Sequence, residues 1–194
     1  MGMQRRFQFI DERELVAIAQ LGSAEACDEL VCRFRGATVL VAQQIVGSTE
    51  IAQDVAQEAL LCALRALPQL EDPGKFAGWL YTITRNRARR VVTRERRSEA
   101  TADDQLERLM ITHVGEHANP LDEVLLTETQ RTVRMVLCDL PPEMQIVMQL
   151  FYYEEWPVAR IAEFLSLPIT TVKWRLHAGR IRLSRRLSAF LEEN

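Results

Sequence analysis

The residues of this chain whose types and spacing point to a chemistry are basic, and they are segregated. Residues 84–98 (TRNRARRVVTRERRS) hold seven arginines and one glutamate, and residues 173–187 (KWRLHAGRIRLSRRL) hold six basic residues and no acid. More than half of the 24 lysines and arginines therefore lie in two short windows, although the formal net charge is only −3. Two cationic surfaces set in an otherwise acidic chain are a phosphate-binding chemistry in two places. Aromatic residues Phe76, Trp79 and Tyr81 stand just ahead of the first window. Aromatic faces beside a cationic surface suit single-stranded DNA, whose unstacked bases need a platform while the backbone needs charge. Phe76 and Trp79 are equally good core residues, and both readings stand at this stage. A third surface has the opposite character. Asp54, Gln57, Glu58 and Arg65 form a polar, largely acidic face that would repel phosphate and suits a protein partner.

Other chemistries find no support. There is no glycine-rich phosphate loop and no convincing catalytic triad, so no catalytic residue is assigned and the chain does not read as an enzyme. The four cysteines (27, 32, 62 and 138) form no CxxC, and the histidines (113, 117 and 177) do not cluster with them. Buried thiols are expected, with no metal site and no cofactor. No apolar run approaches the ~20 residues of a membrane span. The opening MGMQRRFQFIDEREL turns acidic too early for a secretory signal. A cytoplasmic protein without membrane insertion is expected.

The elements that must position these residues are helical throughout, so the fold class is all-α. Cys27, Leu30, Val31 and Phe34 keep the spacing of a buried helix stripe. Gly47-Ser48-Thr49 reads as a turn with a helix N-cap, leading into a helix from Ile51 to Leu67 that Pro68 ends. QLEDPGKF is a loop with Pro73-Gly74 as its turn. A long helix from about Ala77 carries Leu80, Ile83 and Val91 on one stripe, with Arg85, Arg89 and Arg96 facing the other way. Residues 98–120 are acidic and polar and read as a flexible interdomain linker holding a short helix near Leu106–Ile111. Helices over Leu121–Cys138 and Glu143–Tyr152 come next. The organisation is thus two small helical domains, 1–97 and 121–194, joined by the linker 98–120.

The second domain contains a helix-turn-helix, PVARIAEFLSLPITTVKWRLHAGRIRL. Pro157 suits a first helical turn, and Val158, Ile161, Ala162 and Leu165 form one stripe. Ser166-Leu167-Pro168 breaks the helix, Leu167 plugs the core, and Thr170 or Thr171 caps the second helix. That helix buries Val172, Leu176, Gly179 and Leu183 and shows Thr170, Lys173, Trp174 and His177, flanked by Arg175 and Arg180. A short helix, a tight turn and a basic second helix are what reading the major groove requires.

Taken together, DVAQEALLCALRAL, KFAGWLYTITRNRARR and LPPEMQIVMQLFYYEEWPVARIAEFLSLPITTVKWRLHAGRIRL strongly resemble the extracytoplasmic-function (group IV) sigma factors of bacterial RNA polymerase, over roughly residues 10–97 and 121–190. The resemblance implies a region 2 domain and a region 4 domain, in an alternative sigma factor active in transcription initiation and stress response. It implies that Asp54, Gln57, Glu58 and Leu61 bind core RNA polymerase at its beta-prime clamp helices, with a further contact to the beta flap. Asp72, Lys75, Phe76, Trp79, Thr84, Arg85, Asn86 and Arg89 match the part that opens the minus-ten element and captures a flipped base from the melted single strand. Thr170, Thr171, Lys173, Trp174, Arg175, His177 and Arg180 match the helix that reads the duplex minus-thirty-five element. The linker would thread toward the RNA exit path, and an anti-sigma factor is a further implied partner. Trp174 stands where the family usually has a small residue, Ser166 replaces the usual turn glycine, and Ala178 replaces a common arginine.

The main rival is a stand-alone helix-turn-helix transcriptional regulator. Such a protein needs neither an acidic docking helix nor a loop with aromatics ahead of an arginine run. A pure adaptor leaves both basic helices unexplained.

Overall fold

The computed structural model describes residues 7, 9–100 and 137–193. The greater part of the expected linker, its short helix, and the expected helix over Leu121–Cys138 up to residue 136 lie outside the described residues.

Four helices form the amino-terminal unit: α1 (Glu12–Gln20), α2 (Ala24–Val46), α3 (Thr49–Ala66) and α4 (Phe76–Ala100). The same stop-and-start device separates the first three. Gly22 (φ 93°) and Gly47 (φ 77°) take left-handed conformations that end one helix, which costs glycine no Cβ clash. The next residue then caps the following helix. Ser23 accepts from the Ala26 N–H, and Ser48 from the Ile51 N–H, satisfying donors that a helix start leaves open. Asp11 does the same for α1 by accepting from Arg13. Two short 3₁₀ turns, Leu67–Gln69 and Pro73–Lys75, link α3 to α4. The expected starts at Ile51 and Ala77 are met within two residues, at Thr49 and Phe76, and α4 runs three residues into the expected linker.

Helices α2, α3 and α4 pack on one another, with α1 across α2. The facing surfaces are rich in alanine: Ala52, Ala56, Ala59 and Ala63 of α3, Ala37 and Ala42 of α2, and Ala88 of α4 are all buried. Small side chains let the backbones approach, and Leu30, Phe34, Val41, Leu60 and Leu80 fill the remaining space.

The carboxy-terminal unit comprises α5 (Pro142–Tyr152), α6 (Val158–Phe164) and α7 (Ile169–Glu193). Pro142 opens α5, where a missing N–H costs nothing. Pro157 is the N-cap of α6 rather than its first helical residue. Ser166 holds φ at 53° in the α6–α7 turn, a conformation that a glycine adopts without strain. Helix α7 starts at Ile169, with the Thr171 and Val172 N–H groups donating to the Pro168 carbonyl. Thr170 and Thr171 therefore lie in the first turn and do not cap it, correcting that expectation. Val172, Leu176 and Gly179 are buried as expected, and Leu183 is half-buried. Gly179 lies where an added Cβ would sit 3.0 Å from the Met148 sulfur.

The two units share one apolar core, which the sequence does not announce. Phe34 of α2 packs edge-on to Trp156 at 5.6 Å and lies 6.1 Å from Phe164 of α6, while Tyr81 of α4 meets Phe164 at 5.7 Å. The Arg160 guanidinium is stacked 4.0 Å from Trp156 and 4.9 Å from Phe34, and its Nε lies 3.3 Å from the Glu12 carboxylate. Gln44 donates to the Pro142 carbonyl across the same junction. The expected buried thiols are only partly met, for Cys27 and Cys62 are half-buried whereas Cys32 and Cys138 are exposed. Among the described residues no helix is long and apolar enough to cross a membrane.

Candidate nucleic-acid and polymerase interfaces

Helix α3 buries its alanine stripe and so turns Asp54, Gln57, Glu58 and Leu61 outward. All four are exposed, Leu61 at 46% despite its apolar side chain. A single exposed leucine is ordinary on a protein surface, so the face is defined by its polar, largely acidic residues. Glu58 is not free, since its carboxylate accepts from the Arg87 guanidinium at 2.6 Å. Arg87 therefore belongs to the α3–α4 contact and is half-buried, unlike Arg85, Arg89, Arg90, Arg94, Arg96 and Arg97 of the same window, which are exposed.

The loop before α4 is shaped by Asp72. Its side chain accepts from the Gly74 N–H at 3.0 Å and lies 3.7 Å from Arg13 of α1, which fixes the 3₁₀ turn Pro73–Lys75. Beside this turn is a cavity of about 310 Å³ lined by Gln69, Leu70, Glu71, Asp72, Lys75 and Trp79. Its wall combines a flat aromatic side chain, hydrogen-bonding groups of both kinds and one lysine. An aromatic face and hydrogen-bonding groups are what a planar ring needs; the Glu71 and Asp72 carboxylates outnumber the one lysine in that wall, so it does not by itself attract a phosphate.

The structure divides the expected minus-ten residues. Asp72 and Trp79 are half-buried at the cavity; Lys75, Arg85, Asn86 and Arg89 are exposed. Phe76 and Thr84 are different. Phe76 is 1% exposed and packs 5.3 Å from Phe34. Thr84 is fully buried and donates to the Leu80 carbonyl. Neither side chain reaches solvent in this arrangement, so neither is placed here for direct contact with DNA. Phe76 backs Trp79 at 6.2 Å between ring centres, and Thr84 lies one helical turn after Leu80 on the packed face. Arg85 and Arg89 also border a smaller cavity, about 140 Å³, between the units, together with Tyr81 and Ile146.

On α7, Thr170, Lys173, Trp174, His177 and Arg180 are exposed, and Thr171 and Arg175 are half-buried. Trp174 is 60% exposed, so it presents an apolar face on the side of the helix away from Val172 and Leu176. Arg180 donates through Nε to the Tyr152 hydroxyl at 2.8 Å. Sequence reasoning missed Gln69, Leu70, Glu71 and Tyr152. The first three carry no periodic signal, and Tyr152 reads as one more residue of an apolar helix end.

Comparison with known proteins agrees with this arrangement. Residues 30–98 match the family model of Sigma-70 region 2, and residues 130–183 match that of Sigma-70, region 4. The chain is 30% identical over 191 residues to the RNA polymerase sigma-H factor of Pseudomonas aeruginosa, covering 94% of this chain and 96% of that one. It is 27% identical over 175 residues to the ECF RNA polymerase sigma factor SigW of Bacillus subtilis, covering 86% and 91%. Among solved structures, the fold is similar to CnrH in complex with the cytosolic domain of CnrY, with a TM-score of 0.57, 24% identity, and 92% and 97% of the two chains covered. It is also similar to the sigma factor RpoE in complex with the anti-sigma factor NepR from Bartonella quintana, with a TM-score of 0.53, 20% identity, and 83% and 96% covered.

Proposed function

The chain belongs to the sigma-70 family, as an extracytoplasmic-function sigma factor that directs RNA polymerase to promoters, and from that premise we propose that its three exposed surfaces divide the work of initiation. The α3 face with Asp54, Gln57, Glu58 and Leu61 docks on the beta-prime clamp helices. The cavity at Asp72, Lys75 and Trp79 takes a base flipped from the melted minus-ten strand, while Arg85, Asn86 and Arg89 track the backbone. The exposed side of α7, with Thr170, Lys173, Trp174 and His177 and the flanking Thr171, Arg175 and Arg180, reads the minus-thirty-five duplex. The protein does no covalent chemistry and works in the cytoplasm. Because two similar solved proteins are each bound to a second protein, one of them named an anti-sigma factor, an inhibitory partner is proposed for this chain as well.

The observation that carries this reading is that the acidic and the two basic surfaces are exposed on separate helices, while the apolar residues between them close a common core. The packing also has a consequence for promoter binding. Elements about 25 base pairs apart are separated by about 85 Å along a duplex rising about 3.4 Å per step. A packed chain of this length has a radius of gyration of about 16 Å. The units must part at the Phe34–Trp156–Phe164 junction before both elements are held at once. Core polymerase, by fixing the units at one spacing, raises the effective concentration of the second contact, so the free protein binds promoter DNA weakly.

Transcription from a genomic promoter library by core polymerase, with and without this protein, tests the whole reading. Asp54→Arg with Glu58→Arg should abolish most of the added transcription and core binding while leaving helical circular dichroism unchanged. Undiminished core binding would remove the docking assignment. Tight sequence-specific duplex binding by the free protein would favour a stand-alone regulator.

A further inference from the structure

We propose that Tyr152 is a positioning residue for Arg180, holding its guanidinium so that the terminal amino groups are presented to a phosphate of the upstream duplex. The inference rests on the reading of α7 as the duplex-binding helix, and it concerns a residue on a different helix that touches no base.

Tyr152 is the last residue of α5 and is 52% exposed, outside the apolar core. Its hydroxyl accepts from Arg180 Nε at 2.8 Å. The same guanidinium lies 5.4 Å from the centre of the Phe151 ring and 5.7 Å from that of Tyr152. The two rings stand edge to face at 5.0 Å, forming an aromatic corner that holds a cation by its ring faces. One nitrogen is thus spent within the protein, and two remain for an anion.

Holding α5 to α7 does not require this contact. Val147 and Leu150 of α5 and Val172 and Leu176 of α7 are buried, and Met148 fills the space beside Gly179. An exposed tie adds little to such packing. It does restrict a long side chain that would otherwise lose rotamer freedom on binding. The position also selects the ligand. Arg180 comes directly after buried Gly179 and lies four residues after buried Leu176, so it flanks the packed side, whereas Trp174 projects opposite. On a helix seated in the major groove, flanking side chains meet the phosphate walls and opposite ones meet the base edges.

The test uses holoenzyme assembled from core polymerase and the full chain, and duplex DNA that this holoenzyme selects from an upstream-randomised pool. Arg180→Ala should weaken binding about equally for all upstream sequences and lower the salt slope by about one. Tyr152→Phe keeps the ring and removes the hydroxyl. It should weaken binding about threefold without altering base preference, core binding or thermal melting, and should have no effect in the Arg180→Ala background. A Tyr152→Phe loss of equal size in both backgrounds, no loss in either, or a loss of core binding would overturn the proposal. Lys173→Ala separates the two levels of inference. If Lys173→Ala weakens upstream binding while Tyr152→Phe does not, only the positioning role fails; if Lys173→Ala and Arg180→Ala are both silent, the reading of α7 itself fails.

Discussion

Helices α4 and α7 have the same length and similar composition, each placing an aromatic residue at or near its start and arginines after it, yet they treat those aromatics differently. In α4, Phe76 is buried at 1% and Trp79 half-buried; in α7, Trp174 stands 60% exposed. The reason is the number of neighbours. Helix α4 is covered by α2 and α3 of its own unit and by α6 of the other, whereas α7 packs on α5 and α6. With more of its circumference covered, α4 leaves its arginine stripe exposed and its aromatic side chains buried or half-buried, Trp79 forming part of a cavity wall. The barer α7 leaves a tryptophan exposed. The same elements of sequence, aromatic beside cationic, are thus largely packed away in one place and left exposed in the other.

The largest expected difference between the two helices is in stability. Phe76→Ala should cost about 3–5 kcal/mol in urea unfolding, because it opens a cavity against Phe34. Trp174→Ala should stay within about 0.5 kcal/mol of the parent and should instead alter the upstream sequences that the holoenzyme selects. Equal losses of stability would break the contrast. Loss of strand opening in Phe76→Ala with unchanged stability, read by permanganate reactivity of melted thymines, would restore Phe76 as a direct contact.

The glycines sharpen the same comparison. A Cβ at Gly78 of α4 would meet the Ser166 hydroxyl at 2.8 Å and the Glu163 carbonyl at 3.2 Å, both in the other unit. At Gly179 of α7 its nearest neighbours would be Met148 atoms of its own unit, from 3.0 Å. Gly78→Leu is therefore expected to part the units, with small-angle scattering giving a radius of gyration clearly above the packed value of about 16 Å and helix content unchanged. Gly179→Ala should leave the radius unchanged and cost about 1–3 kcal/mol of stability through overpacking. A Gly78→Leu protein that stays compact would mean that the junction adjusts at that point without opening.

The smallest effect concerns the charge buried where α6 covers the first unit. Burial pushes the Glu12 carboxyl above its ordinary range, and Arg160 only partly offsets this; burial likewise pushes Arg160 down against the pull of Glu12. For both groups burial opposes the charged form more than their pairing favours it. The folded protein binds the Glu12 proton more tightly than the unfolded chain. This contribution is complete below the unfolded value of about 4.3 and is lost as pH rises through the raised folded value. Glu12→Gln should melt above the parent at neutral pH, with the difference vanishing toward the unfolded carboxyl value of about 4.3. A Glu12→Gln protein less stable than the parent at pH 7 would show that the pair, not its burial, dominates.

Much of the fold is legible in the residues alone: the all-helical class, the starts of α3 and α4 to within two residues, the turn and cap at Gly47-Ser48, and the outward faces of α3 and α7. These are local properties, set by cap chemistry and by a 3.6-residue period whose polar side is exposed whatever lies opposite. The residue types left open whether Phe76 and Trp79 were core or platform, because both roles need the same side chains. Packing between helices resolves that choice. It also buries Thr84, turns Arg87 to Glu58, brings Glu71 and Gln69 to a cavity, and sets Arg160 against the edge-on rings of Phe34 and Trp156 across two units expected to be separate. Each of these depends on a partner from another helix, and periodicity specifies that a face is buried without specifying what buries it.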